Sequence, residues 1–226
     1  KLAYYLDDPE LKELGRQTIR FYLERYFQIE DSLKAGKIIP SPKPLVRGDL
    51  VKNRYTTASF MAAALLARDD YQDYINEIDL LNDWMESFQK KDGVFWTQNA
   101  ESQYFMPGQL LLSTAINYSK TKRPELKAFF DRSYETYEKA FYQMMYLGNT
   151  TYTPYAPGWA TQFIAAMNLA APDQRYSNLI YAINDRMIEW YKLNSQHRVY
   201  PDFAGILKVN RSNFGNVSET AAALES

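Results

Sequence analysis

The chain has 226 residues, 46% hydrophobic and 23% charged, with a formal net charge of −1; this is a globular composition with no global field to draw in nucleic acid or an anionic membrane. It has no cysteine and one histidine, which excludes disulfides, thiol catalysis, Cys-ligated zinc and multi-histidine metal sites, and no cofactor is expected. No apolar run reaches the ~18 residues of a membrane span.

The length suits one large domain, taken as residues 1–226 of a chain that extends further or is covered at its C-terminal edge. The first expected helix covers 9–29. Asp8 is placed to cap it, Pro9 suits its first turn, and Leu11, Leu14, Thr18, Tyr22 and Tyr26 follow a helical rhythm. A long return over 31–54 leads through "RYTTASF" at Arg54 into "ASFMAAALLA", Ala58–Ala67, which is apolar almost all round. After the short turn "RDD" at Arg68, an amphipathic helix over 71–90 carries Tyr71, Tyr74, Ile75, Ile78, Leu81, Met85 and Phe88 on one face.

The pattern then repeats. A return over 90–107 leads to Pro107-Gly108 and the apolar "LLLSTAI", Leu110–Ile116. "KTKRP" at Lys120 turns the chain into an amphipathic helix over 125–146, with Leu126, Phe129, Phe130, Tyr137, Phe141 and Met144 in register. A return over 146–156 reaches Pro157-Gly158 and "WATQFIAAMNLAA", Trp159–Ala171. "APDQ" at Ala171 leads to the amphipathic 175–193, built on Tyr176, Leu179, Ile180, Ile183, Met187 and Trp190. A last return over 194–216 leads to "ETAAAL", Glu219–Leu224, with Asn216 and Glu219 spaced like a capping box. This fourth apolar helix is expected to start near Val217 and to be unfinished at Leu224.

Gly108 and Gly158 lie 158 − 108 = 50 positions apart, and two helices per ~50 residues mean stacked helical hairpins. Helices without a polar face are expected inside and amphipathic ones outside, making an all-α, α/α toroid that is incomplete in this chain. The Pro-Gly pairs read as entrances to the inner helices, since proline suits a first turn and glycine permits a sharp bend and close packing.

The hairpins resemble the six-hairpin toroids of carbohydrate-active enzymes: unsaturated-glucuronyl hydrolases, α/α-toroid polysaccharide lyases and the helical domain of glucuronyl C5-epimerases. "YAPGWATQFIAAMNLAAPDQRYSNLIYAI", Tyr155–Ile183, carries the resemblance most closely, and as an architectural pattern it covers 54–226. Prenyltransferases and terpene cyclases share the pattern, but the aspartate-rich motif of those cyclases is absent. No family-specific catalytic motif accompanies it, so no catalytic residue carries over. The resemblance implies an oligo- or polysaccharide partner, cut by hydrolysis or β-elimination, and with it an extracytoplasmic or secreted location. The alternative is a non-catalytic glycan-binding or scaffold domain of a larger protein.

The long returns should all emerge at one end, where loops on a rigid scaffold gather function. Hydrolysis needs two carboxyl groups ~5–10 Å apart, and Asp202 with Glu101 or Glu219 is the expected pair. Asp49 reads as a loop acid or cap, and Asp92, before Gly93, as a turn residue. An eliminating enzyme instead uses a proton carrier and a carboxylate clamp, for which His197, Tyr200 and Arg198 supply the types. Trp96, Tyr104, Tyr155 and Trp159 offer planes for the C–H faces of sugars, and Gln109 a partner for hydroxyls.

Overall fold

The computed structural model describes residues 8–40, 54–96, 102–147 and 155–190. Among them are eight α-helices: α1 Pro9–Phe27, α2 Ile29–Ala35, α3 Arg54–Leu66, α4 Ile75–Glu86, α5 Ser102–Thr121, α6 Pro124–Leu147, α7 Tyr155–Ala170 and α8 Gln174–Trp190. The fold is all-α, and the only strand-like feature among the described residues is an isolated antiparallel bridge between Gln89 and Phe95. None of these helices is long and apolar enough to cross a membrane.

The expected start of α1 holds. The Asp8 carboxylate accepts from the backbone N–H groups of Glu10 and Leu11 at 2.9 and 3.0 Å, with Pro9 in the first turn. Its end differs, because Gln28 is left-handed (φ 43°) and the chain continues as α2. The Ser32 hydroxyl donates to the Phe27 carbonyl and accepts from the Ile39 N–H, which draws 28–39 back onto the end of α1. Leu23, Tyr26 and Phe27 are buried, while Leu11, Leu14 and Phe21 face outward.

Helices α3, α5 and α7 form one layer, with α5 in the middle; α4, α6 and α8 pack behind it, each against the helix it follows. The three front helices run parallel. Gly108 meets Trp159 near the start of α5 and α7, and the Lys122 ammonium, just past the end of α5, donates to the Ala170 carbonyl at 2.8 Å. An aromatic cluster ties the layers together, with the Phe130 ring 5.7 Å from Phe163 and 5.9 Å from Tyr176.

Three expectations are corrected. Helix α5 begins at Ser102, so Pro107 lies inside it rather than at its entrance; Pro157 does sit in the first turn of α7. Near the helix start an interior proline removes one ladder bond only, and Gly108 is retained for contact instead. A Cβ there would lie 2.7 Å from the Trp159 Cβ and 3.2 Å from its carbonyl carbon.

The second correction concerns burial of the apolar helices on all sides. Phe60, Ala63 and Ala64 on α3, Gln109, Leu112 and Ile116 on α5, and Gln162, Ala165, Ala166 and Leu169 on α7 are all partly or well exposed. Helical spacing puts each set on one flank, and Leu169 is 88% exposed. Among the described residues, the layer behind and the neighbours beside cover the other flanks and leave this one open. The third is local: Tyr71–Tyr74 forms a 3-10 turn, and α4 spans only Ile75–Glu86 of the expected 71–90.

Burial pushes the Glu86 carboxyl up, helped by the nearby Asp83 charge, and burial raises Asp79 although Arg123 opposes it. A carboxyl raised above its unfolded value weakens the fold at neutral pH and stops doing so below the unfolded value, near ~4.3 for glutamate. Glu86→Gln is therefore expected to be more stable than the parent at pH 7, the difference closing as pH falls to about 4 in urea unfolding curves. A variant less stable than the parent at pH 7 would refute this assignment.

Candidate functional site

Two aromatic groups stand where the chain enters the front layer. The first is carried by the turn that follows α4. The Lys90 N–H donates to the Val94 carbonyl at 2.8 Å, the Trp96 N–H to the Phe88 carbonyl at 2.8 Å, and the Val94 N–H to the Asp92 carboxylate at 3.1 Å. Asp92 is thus the turn residue that its dipeptide with Gly93 suggests.

This turn is fastened to α6. The Ser133 hydroxyl donates to the Gly93 carbonyl at 2.7 Å, and the Thr136 hydroxyl donates to the Asp92 carbonyl. The Gln89 amide donates to the Phe129 carbonyl at 2.9 Å and to Ser133 Oγ at 2.7 Å, and Arg132 donates to Gln89 Oε1 at 2.9 Å. The Phe95 N–H donates to the Tyr137 hydroxyl at 3.1 Å, while the Phe95 ring is buried against Tyr137 and Phe129. In extended backbone the next side chain points the other way, and Trp96 is 55% exposed. The result is a bare indole on a rigid mount.

The second group is Trp159 with Phe60, ring centroids 5.9 Å apart at 57°, reaching from α3 to α7. The bare Gly108 backbone of α5 lets Trp159 come this close. Gln109, next along α5, is half-buried, and its Oε1 has no hydrogen-bond partner. Phe60 escaped the sequence reading because it sits inside a run that looked wholly interior.

Of the other residues expected at this end, Asp202, Glu101, Glu219, His197, Tyr200 and Arg198 lie outside the described residues. So does the fourth apolar helix from Val217 to Leu224. Tyr104 and Tyr155 sit in the first turns of α5 and α7, but their side chains lie outside the description. Among the described residues no group of acids or histidine is placed to hold a metal ion.

A cleft of about 420 Å³ opens at the opposite end. The N-terminal half of α1 lies beside the end of α3, and Glu13, Arg16, Gln17, Ile19, Arg20, Leu23, Leu65, Arg68 and Tyr74 line the space between them. Arg68 is only 3% exposed, its Nη2 lying 2.5 Å from the Asp70 carboxylate and its guanidinium 4.8 Å from the Tyr74 ring centroid. Arg16 pairs with Glu13 at 2.6 Å, and Arg20 with Glu30 at 2.5 Å and Glu24 at 3.4 Å.

These charges share one field. The Arg68 hydrogen bond holds Asp70 below the usual carboxylate range, and Arg16 adds to it; bonds from Arg16 and Gln17 lower Glu13, and Arg68 adds to that. In the sequence "RDD" at Arg68 has the composition of a plain polar turn and by itself gives no sign of this cleft. The spacing of Glu13, Arg16, Gln17 and Arg20, which puts all four on one helix face, was the available signal.

Set against known protein families, curated proteins and solved structures, the chain matches none.

Proposed function

We propose that this chain is a carbohydrate-active protein of the α/α-toroid kind that takes an oligo- or polysaccharide at the end where its long returns gather, as a glycoside hydrolase or polysaccharide lyase. The observation that carries the reading is the mounting of Trp96. The backbone on its N-terminal side is bonded to α6 at Asp92, Gly93 and Phe95, which holds the indole at one place on the surface. An aromatic face presented from an anchored backbone suits the apolar C–H face of a sugar ring. The Phe60–Trp159 pair adds a second aromatic platform.

In this reading the hydrolase pair is Asp202 with Glu101 or Glu219, and the eliminating set is His197 with Tyr200 and Arg198. A panel of acidic and neutral glycans, assayed for new reducing ends and for unsaturated products absorbing ultraviolet light, distinguishes the two. Trp96→Ala is expected to weaken binding of a responding glycan about tenfold, or ~1.4 kcal/mol. Its unfolding free energy should stay within about 0.5 kcal/mol of the parent, as the indole is largely in solvent. Asp202→Asn in a hydrolase should slow turnover by about 10²–10⁴-fold. Binding without cleavage would identify the non-catalytic, glycan-binding alternative; neither binding nor cleavage across the panel would end the carbohydrate reading.

A further inference from the structure

We propose that the cleft between α1 and the turn after α3 binds a small organic anion, a carboxylate or phosphate group borne on an apolar ring. Its size, about 420 Å³, falls among small-molecule sites of roughly 300–1,000 Å³. Its lining divides by chemistry. Ile19, Leu23 and Leu65 with the Tyr74 ring give an apolar wall, while Arg16, Arg20 and Arg68 line the other side, Arg16 paired with Glu13, Arg20 with Glu24 and Glu30, and Arg68 with Asp70.

The three arginines differ in freedom. Arg68 is buried and held between Asp70 and the Tyr74 ring, so its charge is preorganised at the cleft floor. Arg16 and Arg20 stand at the rim with about half of each side chain in solvent, as do their partners Glu13 and Glu30. Exposed pairs of this kind are weak and exchangeable. The Glu13 carboxylate, bonded to the Arg16 guanidinium and lowered by Arg68 as well, occupies the place an incoming anion would take. A ligand anion displaces Glu13 from Arg16 and Glu30 from Arg20 into solvent, accepts from the planar forks of both arginines, and leaves the Arg68–Asp70 pair intact. Its ring then covers the apolar wall. The site lies at the end of the helices away from Trp96 and Trp159, so it stands or falls independently of the glycan reading.

The test is calorimetric titration of the 226-residue chain with phenyl phosphate, benzoate and uncharged benzyl alcohol. One saturable site is expected for at least one of the anions and none for the alcohol, with binding weakening as salt rises. Preference for phenyl phosphate would point to a phosphorylated ligand, and preference for benzoate to a carboxylated one. Arg16→Gln and Arg20→Gln should each weaken binding about tenfold while leaving the melting temperature in place, since both side chains are at the rim. Glu13→Gln should tighten binding, an outcome that a merely structural role for these residues would not produce. The proposal is overturned if neither anion saturates, if binding survives the Arg16→Gln/Arg20→Gln double substitution, or if Glu13→Gln weakens it.

Discussion

Phe130→Ala is expected to lower the unfolding free energy by about 3–5 kcal/mol, the range for removing a fully buried phenylalanine ring. Phe130 has no exposed surface and lies at the junction of three helices. Its ring stacks on Tyr134 of its own helix at 6.2 Å and meets Phe163 of α7 and Tyr176 of α8 edge-on. Those neighbours cannot collapse into the space it leaves, because the Tyr134 hydroxyl donates to the Arg175 carbonyl and Glu138, and the Tyr176 hydroxyl to Asp131. The cavity therefore persists, and with it the penalty for lost contacts. At about 2–4 °C per kcal/mol for a chain of this size, the melting temperature should fall by roughly 6–20 °C. Tyr181→Ala on α8, where the ring is 67% exposed, is the control and should move stability by no more than about 0.5 kcal/mol. A loss below 1 kcal/mol at Phe130 would mean that α6, α7 and α8 do not share this core.

Gly93→Ala should be nearly as damaging, at about 3 kcal/mol or more, for two reasons that add. Gly93 has φ +83°, a conformation that side chains disfavour. A Cβ there would also fall 2.0 Å from the Arg132 carbonyl oxygen and 2.6 Å from its carbon. These are backbone atoms of a helix and cannot swing aside, so the turn must lift off α6. The Ser133 and Thr136 bonds to the turn would go first. Near-ultraviolet circular dichroism should then show the packed Phe95 and Tyr137 rings losing their fixed environment, and under the glycan reading binding at Trp96 should weaken with it. An alanine variant with unchanged melting temperature would show that the turn is not seated against α6.

The architecture was legible in the sequence to the extent that it depends on periodicity. Apolar segments with amphipathic partners, separated by short polar turns, were enough to assign an all-α chain and to pair each described apolar helix with the one that follows it, but not to foresee the open flank of the apolar helices. Helix burial is a property of face composition, and face composition is local. Asp8 and Asp92 were legible for the same reason, since a cap and a turn each act within three residues.

What only the tertiary structure decided lies where distant segments meet. Gly108 and Pro107 looked like an entrance, but the glycine is there because Trp159, far along the chain, needs its space. Phe60 became visible as a surface ring only once the open flank of α3 was known. The cleft joins Arg16 and Arg20 to Arg68 across two helices, and no spacing rule connects residues that far apart in sequence. Periodicity says which face of a helix is buried; it carries no record of which other helix will bring its charges there.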